Sequence, residues 1–127
     1  VIPLFASAVS QGKRPKIFGT GEQSRDFVFV GNVVEANVRA AVAEGVSGKV
    51  YNVGSGTTLS VNQLLKMICD NLGMPFDPEY LPVRAGDVLH SSADISAAVR
   101  ELGYRPIVEM ADGLRQTVEY YRSKAGA

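Results

Sequence analysis

The sequence contains little of two residue types on which many catalytic and metal sites depend, with one cysteine and one histidine among 127 residues. One cysteine cannot form a disulfide within the chain, so we expect a reducing, cytoplasmic compartment. Cys69 falls in the apolar stripe of a predicted helix and is interpreted as a small core residue. His90 then has no thiol partner, and too few soft ligands remain for a metal. The sequence predicts neither a cysteine-dependent enzyme nor a metal site.

An excess of charge of one sign is also absent, because Lys plus Arg and Asp plus Glu number 13 each. A chain with zero net charge has no general field that would attract nucleic acid or an anionic membrane. No apolar run approaches the roughly 18 residues that suggest a membrane span, and no basic segment precedes an apolar one as in a signal peptide. We expect no nucleic acid and no membrane as partners, so any anion site must be local.

The dinucleotide fingerprint G-x-G-x-x-G is a third absence. Two glycine pairs, at positions 19/21 and 54/56, are followed by Ser24 and Leu59 where the third glycine would stand. Neither pair is predicted to lie in the strand–turn–helix that leads a βαβ unit. We therefore predict no cofactor-binding residue in this chain, and the residues by themselves indicate no catalytic group.

What the sequence does contain is an alternation of helix and strand patterns. Apolar residues at helical spacing predict helices over 1–9, 32–44, 61–72, 95–102 and 110–123. Short β-branched or aromatic runs predict strands over 16–18, 27–30, 49–53 and 80–83. The helix after Ser60 has the best local signals, a capping box with Gln63 and a terminating Gly73. The alternation predicts one α/β domain, residues 1–127, in which helices flank a small, partly parallel sheet.

Two arginines stand on separate glycine-containing loops. Arg25 follows the glycine pair 19/21 between two apolar runs, and Arg84 lies in the run RAGDV with Asp87 three residues later. A planar guanidinium suits a carboxylate or a phosphate better than other partners. Two such loops favour a diphosphate between them. Asp26, directly after Arg25, points to the other strand face and is predicted to cap a backbone turn rather than to act as a base.

Three runs carry a family resemblance: GEQSRDFVFVGNVVEAN, VYNVGSG and RAGDVLHSSADISAAVRELGY. In this order and spacing they resemble the C-terminal part of the nucleotide-sugar epimerases and dehydratases, which are extended short-chain dehydrogenases/reductases. Within that family the chain is most similar to UDP-glucose and UDP-N-acetylglucosamine 4-epimerases. The resemblance implies the C-terminal portion of an extended Rossmann-type fold without its dinucleotide-binding half. It also implies NAD as cofactor of the full-length family, and a chain that is inactive alone.

The resemblance also implies a UDP-sugar site. Arg25 and Arg84 would hold the phosphates, and Asp87 would contact the ribose. A small residue at Ser91, where hexose-specific epimerases carry a tyrosine, would leave room for an N-acetyl group. The uracil would be held by the segment before the glycine loop, with the start of the first helix nearby: Lys16, Ile17, Phe18 and Val1.

Other interpretations stay open at this point. The arginines could form surface ion pairs of little energetic weight, Arg25 with Asp26 or Glu22 and Arg84 with Asp87. The whole chain could instead be a stand-alone structural module that forms a homodimer and binds no nucleotide.

The chain opens on Val1 inside an apolar segment, so we expect it to be processed or part of something longer, and a separate N-terminal Rossmann half is one expected partner. The pair Tyr120-x-x-x-Lys124 has the spacing of the family's catalytic pair. It stands at the end of the last helix, far past the family's position, and is interpreted as a core tyrosine and a solvated lysine.

Overall fold

The computed structural model describes residues 1–125, which form five helices and five short strands. The helices are α1 (Ile2–Ser10), α2 (Val30–Val42), α3 (Val61–Leu72), α4 (Ser96–Leu102) and α5 (Met110–Ala125). The strands are β1 (Lys16–Phe18), β2 (Ser24–Arg25), β3 (Leu59–Ser60), β4 (Glu79–Leu81) and β5 (His90–Ser91). None of the helices in this part of the chain is long and apolar enough to cross a lipid bilayer.

The strands form two small sheets. β1 pairs with β4 in parallel, with Ile17 opposite Tyr80. β2 lies at the centre of the second sheet, antiparallel to β3 and parallel to β5, so that Arg25 stands opposite both Leu59 and Ser91. The α/β class, with a small and partly parallel sheet beside helices, is confirmed.

The main core lies between α1, α3 and α5, with β1 at one side. Leu64, Leu65 and Ile68 of α3 are completely buried there, and each contributes about 1.5–3 kcal/mol through the apolar surface it removes from water. The predicted capping box is present, because Ser60 Oγ accepts from Gln63 N and Gln63 Oε1 accepts from Ser60 N. Gly73 ends α3 in the left-handed conformation, as predicted.

A second, smaller cluster joins α2 to α4. Its buried members are Ala36, Ala98, Leu102 and Tyr104. The Tyr104 hydroxyl donates to the Gly54 carbonyl at 2.7 Å. At the start of α2 the buried Asn32 amide donates to Val108 O and its oxygen accepts from the backbone N–H groups of Ile107 and Val108. These bonds fix the loop that leads to α5.

The predicted strand over 27–30 is wrong. β2 ends at Arg25, and α2 begins at Val30, two residues before the predicted start. Phe27 packs against the main core, and Phe29 lies against Gly113 of α5, where an added Cβ would come within 2.8 Å of the Phe29 Cβ. The aromatic residues in this run are therefore partly buried, against helices and not against neighbouring strands.

The predicted strand over 49–53 is also wrong, since no strand within residues 1–125 pairs with it. Tyr51 and Val53 pack on the second cluster, while Val50 is 93% exposed. Alternate residues thus face inward and outward as in a strand, but the pairing partner is missing from the described chain. β4 begins one residue before the predicted start and ends before Pro82, and β2, β3 and β5 were not predicted.

Candidate functional site

A cleft of about 630 Å³ opens between α1, β1, strand β2 with Arg25, and the loop after β4 that carries Arg84. Leu4, Phe5 and Ala8 of α1 form its apolar wall. Gly19 and Gly21 make the turn after β1, both with positive φ near 80°. A side chain at Gly21 would collide with Asn62 of α3, whose N–H donates to the Gly21 carbonyl at 3.0 Å. Glycine at this position therefore lets the turn before β2 pack closely against α3.

Arg25 forms an ion pair with Asp87. Its Nη2 lies 2.7 Å from Asp87 Oδ1, and its Nη1 donates to the Ser24 carbonyl at 2.8 Å. The two side chains are 28% and 35% exposed. The interpretation that pairs Arg25 with Asp26 or Glu22, and Arg84 with Asp87, does not describe this arrangement.

Arg84 is placed differently from Arg25. Its guanidinium carbon lies 3.6 Å from the centre of the Phe18 ring, a distance and position typical of a cation–π contact. Among residues 1–125 the Arg84 side chain has no carboxylate within 4 Å and no hydrogen-bond acceptor. Its donors therefore remain available to an anion in the cleft.

Seven of the eight predicted site residues line this one cleft. They are Val1, Lys16, Ile17, Phe18, Arg25, Arg84 and Asp87. Ser91 does not line it: the residue is exposed on β5, opposite Arg25 in the sheet register. The structure thus brings the cationic, aromatic and acidic residues together, and the role of each stays a prediction.

Gln23 was not predicted. Its side-chain amide donates to the Phe18 carbonyl at 2.7 Å, and its backbone carbonyl accepts from Val61 N at the start of α3. It also lines the cleft. Gln23 stands two residues before Arg25, so strand periodicity would have placed both side chains on one face.

Asp26 caps a turn, as predicted. Its Oδ1 accepts from Ser55 N at 2.8 Å and from Ser55 Oγ at 2.6 Å. Tyr104 donates a hydrogen bond to the same turn at the Gly54 carbonyl. Its pKa is raised mainly by burial and to a lesser extent by the nearby Asp26 charge. Asp26 therefore belongs to the fold around Gly54 and not to the cleft.

The remaining reactive residue types lie outside the cleft. Cys69 is fully buried, and burial raises the pKa of its thiol, which disfavours the nucleophilic thiolate. His90 Nδ1 lies 2.9 Å from Ser24 Oγ. Lys124 Nζ lies 5.7 Å from the centre of the Tyr120 ring at the end of α5. Tyr120 is 55% exposed, so its interpretation as a core residue is wrong. We assign no catalytic role to any of these residues.

Known proteins match this chain in both sequence and structure. The model of the NAD dependent epimerase/dehydratase family matches residues 1–54. A UDP-glucose 4-epimerase of Mycolicibacterium smegmatis is 41% identical over 125 residues, which are 98% of this chain and 40% of that protein.

Two solved structures share the fold over nearly the whole chain. The UDP-glucose 4-epimerase of Thermotoga maritima, solved with UDP-glucose, superposes with a TM-score of 0.90 at 38% identity, over 97% of this chain and 39% of that one. The UDP-N-acetylglucosamine 4-epimerase of Methanobrevibacter ruminantium, in complex with UDP-N-acetylmuramic acid, gives 0.89 at 38% identity, over 98% and 39%. The chain spans about 40% of the length of the curated relatives that it matches.

Proposed function

This chain resembles the C-terminal part of the NAD-dependent epimerases and dehydratases of nucleotide sugars, and from that premise we propose that its cleft binds a UDP-sugar. The observation that carries the proposal is the convergence on one cleft of Arg25, on β2, and Arg84, in the loop after β4, which stand 59 positions apart in sequence. A diphosphate between them would receive charge-assisted, planar hydrogen bonds from both guanidinium groups. In an otherwise neutral chain, this is a local concentration of positive charge.

The nucleoside is proposed to lie on the β1 side of the diphosphate. Phe18 supplies an aromatic face for a pyrimidine, and the backbone of Lys16–Phe18 supplies hydrogen-bonding groups for its edge. Asp87 supplies an acceptor for the ribose diol. Asp87 also forms an ion pair with Arg25. We therefore propose that nucleotide binding breaks this pair, so that Arg25 binds the diphosphate and Asp87 binds the diol.

The sugar is proposed to be an N-acetylhexosamine, on the ground that Ser91 is small. Ser91 lies outside the cleft but opposite Arg25 in the sheet register, so we propose that a tyrosine there would extend towards the cleft and take the space that an acetamido group needs. We expect Ser91→Tyr to weaken the binding of UDP-N-acetylglucosamine more than the binding of UDP. Equal weakening of both ligands would remove the ground for this sugar.

Hydride transfer is assigned to groups outside these 127 residues. The two glycine turns lead into β2 and β3 rather than from a strand into a helix, so the described residues do not fit the pyrophosphate of NAD. We propose that the chain alone binds the UDP-sugar weakly and does not epimerise it. Product formation by the pure chain with added NAD would contradict this.

A separate N-terminal Rossmann half is the proposed partner. Two features support it: segment 49–53 has no strand partner among residues 1–125, and α2 exposes a valine at every fourth position. These valines are Val30, Val34, Val38 and Val42. Unpaired strand-like backbone and exposed apolar stripes are surfaces that proteins cover.

The alternative function, a structural module that forms a homodimer and binds no nucleotide, draws on the same exposed surfaces. It expects the two arginines to point to unrelated places, whereas both line one cleft. The convergence favours the nucleotide site.

Calorimetric titration of the pure chain with UDP and UDP-N-acetylglucosamine at low salt tests the proposal. Arg25→Ala is expected to weaken binding by about tenfold or more, since a hydrogen bond to a charged group contributes about 1.5–3 kcal/mol. Arg115→Ala is the matched control, because Arg115 forms an exposed ion pair on α5 and does not line the cleft. Equal affinity in all three proteins, or no saturable binding at millimolar ligand, would contradict the proposal.

A further inference from the structure

The contact between Arg84 and Phe18 covers one face of the aromatic ring on which the nucleoside is proposed to lie. The guanidinium carbon lies 3.6 Å above the ring centre, which is van der Waals contact. No planar base can be inserted between the two groups at that distance. The same ring face therefore has two competing occupants, a cation of the site itself and a pyrimidine.

We propose that Arg84 is a specificity-determining residue that covers Phe18 until a phosphate draws it away. This inference rests on the proposed nucleotide site. A nucleoside must displace the guanidinium without offering it an anionic partner, whereas a nucleotide supplies phosphate oxygens. The site thereby selects phosphorylated nucleotides over free nucleosides twice, by attraction of the phosphates and by protection of the ring.

Arg84 is suited to this role because nothing else in the described chain holds it. Its side chain has no hydrogen bond and no ion pair there, and it is exposed to solvent. The contact with Phe18 is worth about two- to fivefold in an equilibrium constant at an exposed site. A charge-assisted bond to phosphate is stronger. Binding of the diphosphate can therefore release the ring.

Arg25 cannot act in the same way. It is bound to Asp87 and to the Ser24 carbonyl, and it has no such contact with the Phe18 ring. Both arginines are proposed to attract phosphate, but only Arg84 covers the ring. The two residues therefore form a matched pair for a test.

The test compares uridine with UDP on the wild-type chain, Arg84→Ala and Arg25→Ala, by titration followed in NMR spectra. In Arg84→Ala we expect uridine to bind two- to fivefold more tightly and UDP about tenfold or more weakly. In Arg25→Ala we expect UDP to bind more weakly and uridine to be unchanged. Because Arg84 is exposed, its replacement is expected to leave the melting temperature unchanged.

The outcomes separate the two proposals. If the wild-type chain binds UDP and Arg84→Ala gains no affinity for uridine, the covering role of Arg84 is wrong while the nucleotide site stands. If the wild-type chain binds no UDP, both are wrong. The protein alone gives a second readout: the δ protons of Arg84 should be shifted upfield by the ring current of Phe18, and Phe18→Leu should abolish that shift. An unshifted Arg84 signal would overturn the proposal whatever the affinities are.

Discussion

Asp87 is the ion-pair partner of Arg25, at 2.7 Å, although it stands only three residues after Arg84 and 62 residues after Arg25. The pair joins the loop after β4 to β2. It places the acceptor that we assign to the ribose beside the cation that we assign to the diphosphate. Asp87 should therefore compete with a bound phosphate for Arg25.

Asp87→Asn should change the affinities for pyrophosphate and for UDP to different extents. Inorganic pyrophosphate should bind more tightly, by up to about fivefold, because Arg25 loses a competing carboxylate in a partly exposed pair that is worth about 0–1 kcal/mol. UDP should gain less or bind more weakly, because the ribose loses a charged acceptor. Calorimetry with both ligands measures this. Asp112→Asn, which removes an exposed carboxylate on α5, is the control and should change neither affinity.

Asn32→Ala should destabilise the chain by about 2–4 kcal/mol, since it leaves two backbone N–H groups and one carbonyl without partners in a buried site. Urea unfolding followed by circular dichroism measures the loss. Asn37→Ala is the matched control: this amide bonds the Val33 carbonyl on the exposed side of the same helix. We expect a change within about 0.5 kcal/mol there. Similar losses in both variants would show that Asn32 does not hold the loop before α5.

The pH dependence of stability should include a contribution from Glu101. Hydrogen bonds from Lys49 and from Tyr51 hold the pKa of this carboxyl below its ordinary value. A carboxyl whose pKa is lowered on folding stabilises the fold above its unfolded pKa, about 4.3, and loses this contribution as pH falls through the folded pKa. The stability difference between wild type and Glu101→Gln should therefore be larger at pH 7 than at pH 3. A difference that grows at low pH would contradict the assignment.

Features encoded within a few residues could be predicted from the sequence, whereas features that depend on distant partners could not. The capping box of α3 and its terminal Gly73 are local, and the structure has both. Residues 27–30 have the aromatic and β-branched composition of a strand, but composition reports burial and not pairing, and here helices supply the burial.

The same distinction between local and distant features holds for the cleft. The motifs that carry Arg25, Arg84 and Asp87 could be recognised in the sequence. The ion-pair partners could not: Asp87 was weighed as a partner of Arg84, and it pairs with Arg25 instead. Gln23 was missed although it stands two residues before Arg25, because its partner, the Phe18 carbonyl, becomes its neighbour only through the turn at 19–21.

The valine stripe of α2 gives the last prediction. Val34 and Val38 are 56% and 57% exposed, so replacing them with lysine removes little packing and should change the free energy of unfolding by less than about 0.5 kcal/mol. An uncovered apolar stripe should nevertheless drive weak self-association of the chain at high concentration. Sedimentation at increasing concentration should therefore show association of the wild type and a monomeric Val34→Lys/Val38→Lys variant.

Val99→Lys is the matched control, because Val99 is an exposed valine on α4, outside the stripe. It should associate as the wild type does. If the control abolishes association as fully as the double variant, added charge rather than the stripe is responsible. If instead the stripe variant alone is monomeric and still binds UDP as the wild type does, the association surface and the nucleotide cleft are independent. That result would favour a cleft that works beside a partner docked on α2, and it would count against a module whose only role is to dimerise.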